Sequence, residues 1–297
     1  MHSLISIRDF IRWGASRFDE AGLYFGHGTD NALDEAAALV LYALHMPYDL
    51  PAVWFDSRLT QEEKDRVLGL IRRRIDERIP LPYLTGESWF AGLRFVVNPH
   101  VLIPRSPIAE LIEGSFEPWI DSAPVRHVLD LCCGSGCIGI ASAVYLPETH
   151  VDLVDISDQA LAVAEENILE HNLKDRVRLI KSDLFSSLAG EEYDVIVTNP
   201  PYVGRSERMQ LPEEYAHEPV IALEAEDEGL SIVTRILREA GGYLTPGGIL
   251  VVEVGYSAEL LMQRYPDIPF TWIDFERGGE GVFIFTAEEL DNYHTQF

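Results

Sequence analysis

The run Val195-Ile-Val-Thr-Asn-Pro-Pro-Tyr-Val203 joins an apolar, strand-like segment to a polar and rigid group, Asn199-Pro200-Pro201-Tyr202. An asparagine side-chain oxygen and the carbonyl of Pro200 can accept both hydrogens of a planar NH2 group whose lone pair is delocalised into a neighbouring π system. They turn the lone pair toward an electrophile and stabilise positive charge developing on nitrogen, which inverts the polarity of an oxyanion hole. Consecutive prolines fix φ, so the Pro200 carbonyl is held in place beforehand, and the Tyr202 ring can stack on the planar group. The chemistry these four residues suit is alkylation of a weakly nucleophilic nitrogen. An ordinary turn with a satisfied asparagine would use the same residues, so the rest of the chain has to separate the two readings.

Val195, Ile196 and Val197 have the character of a buried parallel strand, and two prolines cannot continue a sheet ladder. Asn199 is therefore expected at a strand's carboxyl end, the edge of an open α/β sheet where ligands bind. Further strands are expected at His127 to Leu131, Val151 to Asp155, Val177 to Ile180, Ile249 to Val254, Phe270 to Phe275 and Gly281 to Phe285. Helical patterns near Cys137 to Tyr145, Gln159 to His171, Leu230 to Ala240 and Ser257 to Arg264 fall between them. The alternation predicts an α/β fold with a doubly wound, seven-stranded, mostly parallel sheet. Only Glu276 to Glu280 joins the last two strands, too short for a crossover helix, so they must pair antiparallel.

Upstream the pattern is helical. Leu4, Ile7, Ile11 and Phe18 recur near helical spacing, Asp30-Asn31 can cap a second helix over Ala32 to His45, and Thr60-Gln-Glu-Glu63 is a capping box for a third helix that Pro80 stops. Arg72-Arg73-Arg74 is expected on a solvated face of that helix. Ile79 to Gly86 reads as a linker because two prolines and a glycine interrupt it. Trp89-Phe90 and Leu93 to Val97 suggest a hairpin, and Ser106 with Pro107 suggests the cap and first position of a helix. The expected organisation is a small helical domain over 1–85, assigned to substrate recognition, and an α/β domain over 86–297 with the hairpin at its head.

A second constellation lies on the α/β part. Val128-Leu-Asp-Leu-Cys-Cys-Gly-Ser-Gly136 is a strand followed by a glycine turn that opens a helix, where a ligand can approach the backbone closely. Asp155 ends the next strand, 19 residues after Gly136, and is placed to accept hydrogen bonds from ribose hydroxyls. Asp183 and Leu184 follow the third strand, where the carboxylate can take an exocyclic amine and the leucine can cover a ring face. Features of this kind at three successive strand ends, with Asn199 to Tyr202 after the fourth, point jointly to nucleoside binding.

Composition narrows the partners. The chain has 297 residues and a net charge of −26. Residues 1–90 carry 10 Lys/Arg against 14 Asp/Glu, net −4, and residues 91–297 carry 13 against 35, net −22. Duplex nucleic acid is held mainly by phosphate neutralisation and is a poor partner for such a surface, whereas a basic protein is steered toward it; solubility is the other service such charge performs. No apolar run reaches the ~18 residues a bilayer span needs, and no charged-then-apolar signal segment opens the chain, so a cytoplasmic protein is expected. Cys132, Cys133 and Cys137 crowd into one loop, which excludes a disulfide framework and lacks a fourth zinc ligand at a usual spacing.

The glycine loop, Asp155, Asp183-Leu184 and the Asn-Pro-Pro-Tyr group together resemble the Class I S-adenosylmethionine-dependent methyltransferases over roughly residues 125–286. The resemblance implies a Rossmann-like sheet and S-adenosyl-L-methionine as cofactor. Asp130, Gly134 and Gly136 would hold its methionine part, Asp155 its ribose, and Asp183 with Leu184 its adenine. Cys132 stands where that family usually has a first glycine. A resemblance over nearly the whole chain, carried by the helical N-terminal part, Pro82-Tyr-Leu-Thr-Gly86, the hairpin, Leu102-Ile-Pro-Arg105 and Asn199 to Tyr202, is to the bacterial protein-glutamine methyltransferases. Pro104-Arg105 continues as Ser106-Pro107, and Gly26-His-Gly-Thr-Asp-Asn31 lies near the start. These features are similar to the branch acting on large-subunit ribosomal protein three rather than on release factors. That resemblance makes Asn199, Pro200, Pro201 and Tyr202 catalytic, sets Asn199 among the cofactor-binding residues as well, and makes a basic ribosomal protein the partner; cysteine spacing, charge and hydropathy speak against metal, DNA and membrane. The alternatives are a release-factor enzyme, an adenine amino-methyltransferase on nucleic acid, whose target nitrogen poses the same problem, and an assembly factor that binds cofactor without chemistry. Glu110, Glu218 and Glu253 lie near family motifs without an assigned role.

Overall fold

The computed structural model describes residues 4–120 and 124–297. The chain separates into two compact units, one of residues 1–88 with 212–217, the other of 89–211 with 218–297. The sequence places a single boundary at 85/86; the units part at Ser88/Trp89, and the short excursion Pro212–His217 belongs with the first.

The first unit is built on α1 (Ile7–Glu20), α2 (Ala32–Ala43), α3 (Gln61–Asp76) and α4 (Leu81–Thr85). Asn31 caps α2 through its side chain, and Thr60 and Glu63 form the reciprocal capping box of α3. Phe10, Phe18, Leu39, Val67 and Ile71 share one apolar core between these helices. Two expectations fail here. The predicted linker contains α4, because Pro82 sits in the first turn, where no backbone N–H is needed, and Gly86 ends the helix at φ 76°. The run Arg72-Arg73-Arg74 is not uniformly solvated, because Arg74 is 1% exposed. Its Nε donates to Glu35 at 2.6 Å, one terminal nitrogen to Glu214 at 3.1 Å and the other to the Tyr24 carbonyl at 2.8 Å. Glu35 and Glu214 are each 1% exposed. Periodicity gives a helix face no sign of which basic residue meets buried carboxylates from distant segments.

The hairpin of β1 (Glu87–Phe90) and β2 (Leu93–Val96) begins at the boundary and is in the second unit from Trp89 onward, followed by α5 (Ile108–Glu113). The large sheet follows as β3 (His127–Leu131), β4 (His150–Asp155), β5 (Val177–Lys181), β6 (Tyr193–Thr198), β7 (Leu244–Glu253), β8 (Thr271–Trp272) and β9 (Val282–Thr286). Its order is β5-β4-β3-β6-β7-β9-β8, parallel from β5 to β7, with β9 antiparallel to both neighbours. The expected final hairpin is present, although β8 keeps only two residues of ladder. The helices are α6 (Cys137–Tyr145), α7 (Asp158–Glu170), α8 (Arg205–Arg208), α9 (Val220–Leu223), α10 (Ser231–Glu239), α11 (Ala258–Arg264) and α12 (Ala287–Tyr293). Alternate residues of each strand serve opposite faces. Val128, Val195 and Val251 pack with α5, α6 and α7, whereas Leu129, Ile196 and Leu250 pack with α10, α11 and α12. Both faces are thus covered, which is why the strands read as continuous apolar runs. The short α8 and α9 carry too little periodicity to be read from sequence. No described helix is long and apolar enough to cross a membrane.

Removing one partner of a fully buried ionic group strands the others without compensation. Arg74→Met is expected to lower the free energy of unfolding by about 3 to 5 kcal/mol, measured by urea denaturation of the full chain. A loss below about 1 kcal/mol, the scale of a surface pair, would mean the buried cluster carries no such weight.

Candidate active site

A cavity of about 330 Å³ opens at the carboxyl ends of the central strands. Such a volume suits a small molecule. Gly134 after β3, Asp155 at the end of β4, Asp183 and Leu184 after β5, and Asn199 and Pro201 after β6 all line it. The register explains the convergence. Leu131 pairs with Thr198 and with Val154, so β3, β4 and β6 stop level with one another. Thr198 Oγ also donates to the Leu131 carbonyl at 2.6 Å, fastening the end of β6 to β3 immediately before Asn199.

The turn after β3 keeps its shape with an unusual first residue. Cys132 sits at φ 61°, a left-handed conformation that costs a non-glycine residue roughly 1 kcal/mol. Gly136, at φ 77°, is required sterically, because a Cβ there would lie 2.9 Å from the Leu153 side chain and 3.3 Å from Ala164 Cβ. The Cys133 N–H donates to the Val154 carbonyl at 3.0 Å. All three cysteines are free thiols. Burial pushes each thiol up, that of Cys137 to about 12, so none is a thiolate at neutral pH.

The predicted residues do not all reach the cavity wall. Asp130 is 1% exposed and lies beneath the loop; its Oδ2 accepts the Gly139 N–H at 2.8 Å, and its Oδ1 has no hydrogen-bond partner. Ser135 Oγ is likewise buried without a partner. Burial raises the Asp130 carboxyl to about 8, against the Gly139 hydrogen bond and with a further push from Asp155. Asp155 Oδ2 accepts the Gly134 N–H and Oδ1 the Ser157 N–H, each at 2.9 Å, so this side chain also shapes the loop it faces. Burial raises its carboxyl as well. Asp183 is exposed and accepts from Arg235 at 3.0 Å, while the neighbouring Leu184 is buried at φ 47°. Gly136, Pro200 and Tyr202 stand behind the wall rather than on it.

Sequence reasoning left the supports of the Asn199 loop unassigned. Glu253, at the end of β7, is 6% exposed and accepts from the Ser106 hydroxyl and, at 3.3 Å, from the Tyr202 hydroxyl. The expected cap is displaced: Pro107 is the N-cap of α5 and the helix begins at Ile108, whose N–H Ser106 Oγ accepts at 3.2 Å from one residue further out. Glu218 accepts from both terminal nitrogens of Arg105, at 2.6 and 2.8 Å, and from the Ile103 N–H at 3.1 Å, holding the segment that forms another side of the cavity. Gly255 leaves room for the Tyr202 ring, since a Cβ there would come within 2.9 Å of it. Glu110 lies elsewhere and accepts the backbone N–H groups of Glu276 and Arg277, each at 3.0 Å. Proximity of these glutamates to motifs marks them in the sequence; their partners lie far along the chain, 115 residues for Ile103 and Glu218 and 166 for Glu110 and Glu276, and are set by the fold.

The wall is largely apolar, and its charged side chains are Asp155, Asp183 and Glu224 against Arg105 and Arg235, with the Asn199 amide among them. The arrangement can bind a donor-rich ligand and present an amide loop to it.

Residues 118–224 match the family model described as the methyltransferase small domain. The chain is 53% identical over 290 residues to the ribosomal protein uL3 glutamine methyltransferase of Xanthomonas campestris pv. campestris, covering 98% of this chain and 93% of that one. It is 49% identical over 298 residues to the protein of the same name from Francisella tularensis subsp. tularensis, covering 100% and 95%. A third, from Xylella fastidiosa, is 51% identical over 294 residues, covering 98% and 93%.

The raised Asp130 carboxyl gives a signed pH dependence. Between the unfolded value near 4 and the folded value of about 8, the native state holds a proton that the unfolded chain releases. Its contribution to stability is complete below about pH 4 and is lost as pH rises toward 8. Asp130→Asn, which stays neutral, is expected to lose less stability than the parent between about pH 5 and pH 8 in urea unfolding; parallel curves would show that Asp130 ionises normally.

Proposed function

The chain belongs to the ribosomal protein uL3 glutamine methyltransferases, and we propose that it transfers a methyl group from S-adenosylmethionine to the side-chain amide nitrogen of a glutamine in that basic ribosomal protein. It is an enzyme of the methyltransferase class. The observation that carries the mechanistic reading is that Asn199 shares one cavity wall with Asp155, Asp183 and Leu184.

The residues fit the cofactor. Asp155 offers acceptors to ribose hydroxyls, Asp183 faces an adenine amine beside the apolar Leu184, and the loop of Gly134 and Gly136 takes the methionine part. Asp130 acts from beneath that loop, where the partnerless Oδ1 of Asp130 and Oγ of Ser135 leave two polar atoms for the polar end of such a ligand. When bound, the cofactor supplies an electrophilic methyl group on a positively charged sulfur. Asn199 Oδ1 and the Pro200 carbonyl accept the two N–H bonds of the glutamine amide and aim its lone pair in line with that methyl. Pro200 and Pro201 fix the backbone before substrate arrives. As positive charge grows on nitrogen the two oxygens stabilise it, and proton loss follows methylation, so no strong base is required beforehand. The Tyr202 ring borders the amide plane.

Relatives that share half their residues with this chain over nearly its whole length favour the ribosomal substrate over a release factor, and the net charge of −26 disfavours a nucleic-acid substrate. The reading places the protein in the cytoplasm, with the ribosome. Transfer of labelled methyl to fractionated ribosomal proteins and release factors, with mass spectrometry of the labelled peptide, tests it directly; label confined to another protein overturns it.

Two substitutions should separate chemistry from binding. Asn199→Ala is expected to lower single-turnover methyl transfer by roughly 10²- to 10³-fold with cofactor affinity nearly unchanged. Asp155→Ala is expected to weaken cofactor binding by about 1.5 to 3 kcal/mol in calorimetry. Retention of more than about a tenth of activity by the first, or parental affinity in the second, removes that residue from its role.

The concentration of net −22 in residues 91–297 adds a kinetic expectation. Attraction of a basic protein acts through encounter rate and is screened over about 8 Å at physiological salt. Catalytic efficiency on isolated uL3 is expected to fall as salt rises to physiological strength, and a short neutral peptide carrying the same glutamine to respond much less. Equal salt responses would exclude electrostatic steering.

A further inference from the structure

Register puts two amide-chemistry groups side by side. Thr198 of β6 pairs with Val252 of β7, so Asn199, the first residue after β6, lies beside Glu253, the last residue of β7. Glu253 is 6% exposed and accepts hydrogen bonds from the Ser106 and Tyr202 hydroxyls, and strand register sets Asn199 beside it. Arg105 is the cation whose charge reaches it, and Arg105 is itself held by Glu218. An asparagine side chain has a donating and an accepting end, and packing alone hardly tells them apart. Burial raises the Glu253 carboxyl, while the Ser106 and Tyr202 hydroxyls and the charge of Arg105 favour its ionised form, which only accepts.

We infer that Glu253 is the positioning residue that fixes the polarity of the methyl-accepting site: it takes the Asn199 NH2 group and so turns Asn199 Oδ1 toward the cavity. The inference rests on the glutamine-methylating reading above. Tyr202 is tied to the same carboxylate, its hydroxyl donating to Glu253 at 3.3 Å. The loop then turns an acceptor, Asn199 Oδ1, into the cavity, with the Pro200 carbonyl next to it in the chain. A carboxamide NH2 brings two donors to such a site, while a carboxylate brings none and is repelled. Glu253 thereby acts on specificity for glutamine over glutamate as well as on rate. Because Ser106 belongs to the segment leading into α5, the same carboxylate ties that segment to the reacting loop.

The test is a polarity swap. Glu253→Gln keeps shape but can donate or accept, so the Asn199 amide loses its fixed sense; kcat on a glutamine peptide is expected to fall roughly 10- to 100-fold, with calorimetric affinity for S-adenosylhomocysteine unchanged. Asn199→Asp in the parent sets two carboxylates face to face and is expected to lower kcat at about pH 8. In the Glu253→Gln background the same Asn199→Asp change is expected to raise kcat, because the introduced amide now donates and the introduced carboxylate again turns an acceptor outward. That reversal of sign is something a merely structural glutamate would not produce. If Glu253→Gln does not fold, Asn199→Asp in the parent serves instead. A proton shared with Glu253 should recover activity as pH falls from about 8 to about 6, with Arg105 and Tyr202 the other titratable groups facing the pair. Parental kcat in Glu253→Gln, failure of the double variant to exceed it, or a flat pH response of Asn199→Asp each overturns the inference. If the parent labels no glutamine, or Asn199→Ala stays active, the underlying reading fails instead.

Discussion

Five strands that run in one direction must end at one edge, and the order in which they lie decides what meets there. From β3 the chain steps outward through β4 to β5, and from β6 it steps the other way to β7, so the connections part between β3 and β6. A crevice forms where connections diverge, and the cavity lies there, walled by the residues that follow β3, β4, β5 and β6. The chemistry depends on this topological constraint more than on any one side chain. Asn199 faces the cofactor residues because β6 lies against β3, and it lies beside Glu253 because β7 lies against β6.

The second organising feature is the expense of buried carboxyl groups. Asp130, Asp155 and Glu253 all have their carboxyls raised by burial, and each is tied to a backbone or side-chain donor that shapes a loop. Asp130 and Asp155 brace the glycine turn and the helix it opens; Glu253 braces Tyr202 and Ser106. Desolvated groups of this kind are costly to hold, and they concentrate where a fixed direction of hydrogen bonding is needed. The acidic exterior is a separate matter, acting at range on a basic partner and screened by salt.

The helical unit follows the same rule. Arg74 is tolerated at 1% exposure because Glu35, Glu214 and the Tyr24 carbonyl satisfy its guanidinium. Glu214 lies on the excursion of residues 212–217, so the first unit is completed by six residues distant in sequence. A single arginine in a basic run thus has a role opposite to that of its neighbours.

The order of elements, the parallel sheet and its antiparallel end were legible in the sequence, because buried strands between amphipathic helices leave a pattern that local physics reads directly. So were the placement of Asn199 at a strand's carboxyl end and the spacing of the glycine turn and Asp155, since these follow from chain punctuation by proline and glycine. What only the tertiary structure decided was which groups turn toward one another. Asp130 lies beneath the loop instead of on the cavity wall, Arg74 points inward, α4 forms across two prolines, and Glu253 meets a serine 147 residues earlier in the chain. Those outcomes depend on strand register and on the satisfaction of buried charge across long stretches of chain, and neither leaves a local mark on the residues that take part.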